Sequence, residues 1–149
     1  MKKLDSMVSY TDRYLRIAAV EDFPVAYNGL QVENGGKVKR ILAAVDAGLP
    51  TLEKAATFGP GSLLIVHHGL FWSGVQPVTG VWREKLDLLL QSDLAVYSSH
   101  LPLDQHAKVG NNVLLAAALG LTKVESFLGF GRAGIFGGTR AVLSRRLEK

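Results

Sequence analysis

Ser62-Leu-Leu-Ile-Val-His-His68 is the stretch whose reading decides the fold. Its aliphatic run follows Gly59-Pro60-Gly61 and reads as a buried strand entered through a turn. No apolar core needs two adjacent imidazoles, so His67 and His68 call for another explanation. Leu94-Ala-Val-Tyr-Ser-Ser99 has the same character and runs into His100, with Asp104 four residues on. Strands that deliver histidine at their carboxyl ends put it where an open α/β sheet binds its ligands.

Working outward, residues 38–45 read as a further strand. Helical patterns fall at residues 82–90, at 112–119 and from Pro50 or Thr51 through Phe58. Asn111 or Asn112 is the expected cap of the helix that Gly120 stops. Ahead of these lie an amphipathic helix over residues 4–20 and an irregular stretch over 21–36 marked by Pro24, Asn28-Gly29 and Asn34-Gly35-Gly36. Alternating strands and helices predict an α/β fold: a mostly parallel sheet with right-handed crossovers, covered by helices on both faces. Past Gly120 the pattern weakens to short strands at 124–130 and 132–136 and a helix from Thr139 through Leu147. With no repeat and no linker, residues 1–149 are expected to form a single α/β domain.

At 149 residues and 48% hydrophobic, the chain is long enough for one soluble domain with a real core. No apolar run approaches a membrane span, and Met1-Lys-Lys-Leu-Asp5 opens a mixed helical pattern instead of a signal peptide. The absence of cysteine excludes disulfides and thiolate metal sites and suits a cytoplasmic protein. The net charge of +4 is local: residues 132–149 hold five basic side chains against Glu148 alone, leaving 12 basic and 12 acidic before them. That distribution describes a solvated helix face and argues against nucleic acid as a partner. A Walker-type phosphate loop and a nucleophile elbow are both missing, and Ser98-Ser99-His100 sets no catalytic-serine geometry. Phe71, Trp72 and Trp82 read as core or subunit-contact aromatics.

Adjacent strand residues point to opposite faces, so His67 and His68 serve one site only at a frayed strand end, where Gly69 eases the turn. A lone histidine pair is more often one core residue and one exposed one; His100 and Asp104 at the next strand end reverse that balance. Imidazoles with a carboxylate suit zinc, iron, manganese or nickel. Pro102 disfavours a helix from His100, so Asp104 is expected to fold back from a loop, where its two oxygens could bridge two ions. His106 reads as a solvent-exposed loop histidine.

Asn28-Gly-Leu-Gln-Val-Glu33, Val66-His-His-Gly-Leu-Phe-Trp72, Ser99-His-Leu-Pro-Leu-Asp104, Gly110-Asn-Asn112 and Ala118-Leu-Gly-Leu121 occur in that order. Together they resemble the Nif-three-like family, whose members often carry the name GTP cyclohydrolase I type 2. The resemblance covers residues 1–136 and implies two divalent metal ions on His67, His68, His100 and Asp104. It also implies a hexameric ring with the metal sites facing an inner cavity. Family members continue well past this length and add a histidine and a glutamate from a later motif. That motif is missing before Lys149, so the domain is expected to be incomplete at its C-terminal side, with the second metal site incomplete too.

The expected function is that of a metal-dependent hydrolase acting on a nucleotide-like or phosphorylated small molecule. The competing reading is a non-catalytic regulatory or scaffold ring protein that holds metal. A coordination position open to water or substrate separates the first from the second. Homo-oligomerisation gives the first test: light scattering at roughly ten micromolar should find at least a dimer, and a monomer there contradicts it.

Overall fold

A computed structural model describes residues 1–148, and its chain divides into two compact units, Met1–Pro102 and Leu103–Lys149. The first unit runs β1 (Lys2–Lys3), α1 (Leu4–Leu15), β2 (Gly29–Val32), β3 (Lys37–Val38), β4 (Arg40–Asp46), α2 (Leu49–Ala56), β5 (Ser62–His68), α3 (Gly80–Gln91) and β6 (Leu94–Ser98). A helical turn, α4 (Leu101–Asp104), crosses the boundary. The second unit adds α5 (Asn111–Leu119), β7 (Thr122–Phe127), β8 (Gly131–Ile135) and α6 (Arg140–Leu147).

The main sheet has the order β2-β6-β5-β4, with β4, β5 and β6 parallel. A strand flanked on both sides and covered on both faces has no solvent-facing row, which is why β5 and β6 are continuously apolar and do not alternate. Leu64, Val66, Leu94 and Val96 bury one face against Leu52 and Ala55 of α2 and Leu89 of α3. The neighbouring Tyr97 lies on the opposite face, fully buried, and its hydroxyl donates to Asp12 Oδ1 of α1 at 2.7 Å. Burial, with the Asp12 hydrogen bond and charge added, pushes the Tyr97 phenol far above its ordinary value. The expected α/β layering is present. β4 forms one edge of the sheet and leaves Ile41 and Val45 exposed.

Local departures from the sequence reading have separable causes. The stretch expected to be irregular contains β2, which joins β6 antiparallel and makes the sheet mixed; it is short, bulged between Leu30 and Val32, and its turn residues mask it. The first helix stops at Leu15 because Arg16 is left-handed (φ 59°), and residues 17–19 continue as a 3-10 turn. Gly48, not Thr51, caps α2, with Pro50 in its first turn. Residues 101–104 form a helical turn where a loop was expected, because Pro102 sits in the first turn, whose N–H groups have no helical partner anyway. Neither asparagine caps α5: Gly110 does, while Asn111 reaches Asp104 and Asn112 reaches the Phe130 carbonyl.

In the second unit α5 closes on left-handed Gly120, and β7 and β8 form a hairpin turning through Leu128 and Gly129, both at positive φ. Thr139 caps α6, and the Arg146 guanidinium donates to the Leu119 carbonyl and stacks over Phe136. No helix among the described residues is long and apolar enough to cross a membrane. Tyr97→Phe tests the tie between sheet and α1. Losing a hydrogen bond to a carboxylate should cost about 1.5–3 kcal/mol in urea unfolding, and an unchanged midpoint would show the tie to be idle.

Candidate metal centre

Three parallel strands end together. Asp46 pairs with His68 in the β4–β5 ladder, whereas the β5–β6 ladder stops at Val66–Ser98. His67 and His68 therefore project past the end of β6, and the chain leaving β6 delivers Ser99 and His100 to the same place. Strand alternation starts the two adjacent histidines on opposite faces, yet their rings come together with that of His100. Ring centroids lie 4.7 Å apart for His67–His68, 4.8 Å for His67–His100 and 5.6 Å for His68–His100. One ring nitrogen from each falls within 4.8 Å of the other two.

The strand does not fray, as the sequence reading required, because β5 stays paired through His68. Nor does Gly69 act through a turn. A Cβ there would collide with the Gln31 amide, whose Oε1 accepts from the Leu70 N–H at 2.7 Å and whose Nε2 donates to the Tyr27 carbonyl at 2.8 Å. Gly69 makes room for the side chain that ties β2 to the segment after the histidines.

Each imidazole is oriented through Nδ1. His67 Nδ1 lies 3.1 Å from the Ser99 carbonyl, His68 Nδ1 2.7 Å from Asp46 Oδ1 and His100 Nδ1 2.8 Å from Asp22 Oδ1. Carbonyl and carboxylate oxygens only accept, so Nδ1 carries a proton in each ring and Nε2 is the nitrogen left to meet a metal. Ligating histidines are held in this way by a carbonyl or carboxylate behind the ring, which fixes the tautomer and raises the basicity of the other nitrogen. The donor set therefore fits a divalent cation.

Asp22 and Asn28 build the His100 side. The Asp22 side chain is only 6% exposed. Its Oδ1 also accepts from the Phe23 N–H, and its Oδ2 accepts from Asn28 Nδ2 and the Leu101 N–H. Asn28 Oδ1 accepts from the His100 N–H at 2.7 Å. Burial alone raises the Asp22 carboxyl, but hydrogen bonds from Asn28, His100, Leu101 and Phe23 outweigh it and hold the group below its ordinary 3.8. It stays ionised as the acceptor for His100. Sequence reasoning missed Asp22, Asp46 and Asn28 as working parts. Only Asp46 had a signal, a carboxylate at the end of the first parallel strand.

The other residues singled out from sequence divide between the two units. Asp104 belongs to the second unit, where its Oδ1 accepts from Asn111 Nδ2 at 2.9 Å. His106 is half-buried, and its Nδ1 accepts from the Lys108 and Val109 N–H groups, capping a turn where an exposed loop histidine was expected. Phe71 and Trp82 pack edge to face against the main core. Trp72 instead stands against His100 and His68, with ring centroids at 4.8 and 5.8 Å, and Phe23 is its neighbour at 6.5 Å.

The model of the Duf34/NIF3 (NGG1p interacting factor 3) family matches residues 2–144. A Deinococcus radiodurans protein named GTP cyclohydrolase 1 type 2 homolog is 45% identical over 123 residues, 83% of this chain and 46% of that protein. Its namesake in Archaeoglobus fulgidus is 37% identical over 146 residues, 98% of this chain and 56% of that protein. The crystal structure of TTHA1606 from Thermus thermophilus is similar with a TM-score of 0.88 at 39% identity, covering 98% of this chain and 60% of that one. The chain spans about half the length of the curated relatives it matches.

The two carboxylates behind the rings should separate on mutation. Asp22→Ala strands three partly buried donors, from Asn28, His100 and Leu101, and should cost about 2–3 kcal/mol in urea unfolding. Asp46 is 66% exposed, so Asp46→Ala should shift stability by less than about 0.5 kcal/mol. Both should weaken zinc binding by about 10–100-fold in a calorimetric titration. Zinc affinity equal to wild type in both variants contradicts the orienting role.

Proposed function

This chain belongs to the Duf34/NIF3 family, and we propose that it is a divalent-metal protein, part of a metal-dependent hydrolase for a nucleotide-like or phosphorylated small molecule. The reading is carried by one observation: three histidines at one sheet end, each with Nδ1 engaged by an acceptor oxygen. A purely structural histidine cluster needs no such uniform tautomer. The substrate class follows the relatives named GTP cyclohydrolase 1 type 2 homolog.

His67, His68 and His100 would hold the ion through Nε2, with zinc, iron, manganese or nickel suited to the set. Asp104 is proposed as a further ligand or a bridge to a second ion. Divalent ions there would lower the pKa of a bound water and polarise a substrate oxygen. The chain's own task is orientation: Asp46, Asp22 and the Ser99 carbonyl hold the rings, and Phe23 and Trp72 form an apolar wall beside them. The same reading carries a cytoplasmic setting and a ring-shaped homo-oligomer.

Metal analysis and zinc titration of the 149-residue chain test the proposal. One tight ion per chain is expected, because a second site built on His67, His68, His100 and Asp104 alone is short of protein ligands. Single replacements of His67, His68 and His100 by alanine should each lower zinc affinity at least about tenfold while circular dichroism stays native. Zinc binding unchanged in all three variants overturns the site. Two equally tight ions overturn the incomplete second site, and tight zinc without hydrolysis of any nucleotide favours a regulatory role.

A further inference from the structure

Two buried polar atoms beside the histidines, Trp72 Nε1 and Ser99 Oγ, have no hydrogen-bond partner among the described residues. Trp72 Nε1, shut off from solvent, has no hydrogen-bond acceptor among them. Leaving a buried donor unpaired costs about 1–3 kcal/mol, and such groups mark places where a ligand completes the structure. Its position narrows the choice of ligand. The indole stands nearly perpendicular to His100 at 81° and to His68 at 82°, with ring centroids 4.8 and 5.8 Å away. Phe23, 59% exposed, stands at 6.5 Å from Trp72 and 6.0 Å from His100, so the surroundings are aromatic.

We propose that Trp72 is a positioning residue whose Nε1–H donates to an anionic oxygen, phosphoryl or carboxylate, of a ligand bound to the ion on His67, His68 and His100. This rests on the metal-site reading above and adds to it the class of ligand and the group that orients it. An indole nitrogen donates and never accepts, so it selects an oxygen acceptor over an amine or an ammonium group. A hydrogen bond to a charged acceptor is stronger than one to a neutral acceptor. Trp72 lies in the loop over residues 69–79. That loop lies between β5 and α3, and at its tip Val75 is wholly exposed. The indole of Trp82, packed on Phe71 in the core, serves as an internal reference.

The chain has two tryptophans, so a proton–nitrogen correlation spectrum shows two indole resonances. Trp72→Phe assigns them by deletion, and Trp82→Phe does so independently if the first variant folds poorly. The zinc-loaded protein is titrated with inorganic phosphate. The Trp72 indole proton should move downfield and exchange more slowly with water while that of Trp82 stays put. Trp72→Phe should bind zinc as wild type does but phosphate about 10–100-fold more weakly, the worth of one charge-assisted hydrogen bond. With zinc bound, an unmoved Trp72 resonance at saturating phosphate, or equal phosphate affinity in Trp72→Phe, overturns the indole's role and leaves the metal site standing. Failure of the wild-type chain to bind zinc overturns both.

Discussion

Three imidazole Nδ1–H groups, each donated to a fixed oxygen, are the constraint on which the rest of the site depends. A histidine side chain has two torsions and two chemically different nitrogens, so proximity of three rings does not by itself make a ligand set. What makes one is the matching of each ring to an acceptor that dictates its tautomer and its tilt. Here the acceptors come from three places: the neighbouring strand through Asp46, the chain leaving β6 through Ser99, and the stretch before β2 through Asp22. Each depends on the sheet being assembled, so the three rings are oriented together only in the folded chain.

That dependence explains the order of the elements. Parallel strands all finish at one end, and side chains placed there by β4, β5 and β6 meet without distorting the core beneath. The cost of the arrangement falls on the connections. Gln31 must cross to Leu70, which is why Gly69 carries no side chain, and Asn28 must hold both the His100 N–H and the Asp22 carboxylate. Tyr97 anchors α1 from beneath through Asp12. The residues around the histidines thus work as a bracket, and the apolar core of Leu64, Val66, Leu94 and Val96 supplies the rigidity the bracket needs.

Much of this was legible in the amino-acid order because two of its signals are local. An aliphatic run ending on histidine announces both a buried strand and a histidine at the sheet end, and β5 and β6 each carry that message. The Gly120 stop of α5 was legible for the same local reason. What escaped was whatever depends on partners far apart in sequence. β2 is four residues long among turn formers, and only its pairing with β6 makes it a strand. Asp22 acts on His100 across 78 positions, a relation no periodicity encodes. Proline breaks helix interiors but not a first turn, which is where Pro102 sits. Asn111 and Asn112 were read as caps because asparagine favours that position, while longer-range acceptors held both side chains.

The central claim is a statement about protons, so a measurement that sees them tests it most directly. Long-range nitrogen–proton correlation spectra of the histidine rings report which nitrogen is protonated and which one meets a metal. In the metal-free protein His67, His68 and His100 should all appear as Nδ1–H tautomers, and on adding zinc only their Nε2 resonances should shift strongly. Nε2–H tautomers at two or more of the three, or a zinc-dependent shift at Nδ1, would contradict the account, because the oxygens of Asp22, Asp46 and Ser99 would then not be orienting the ligands.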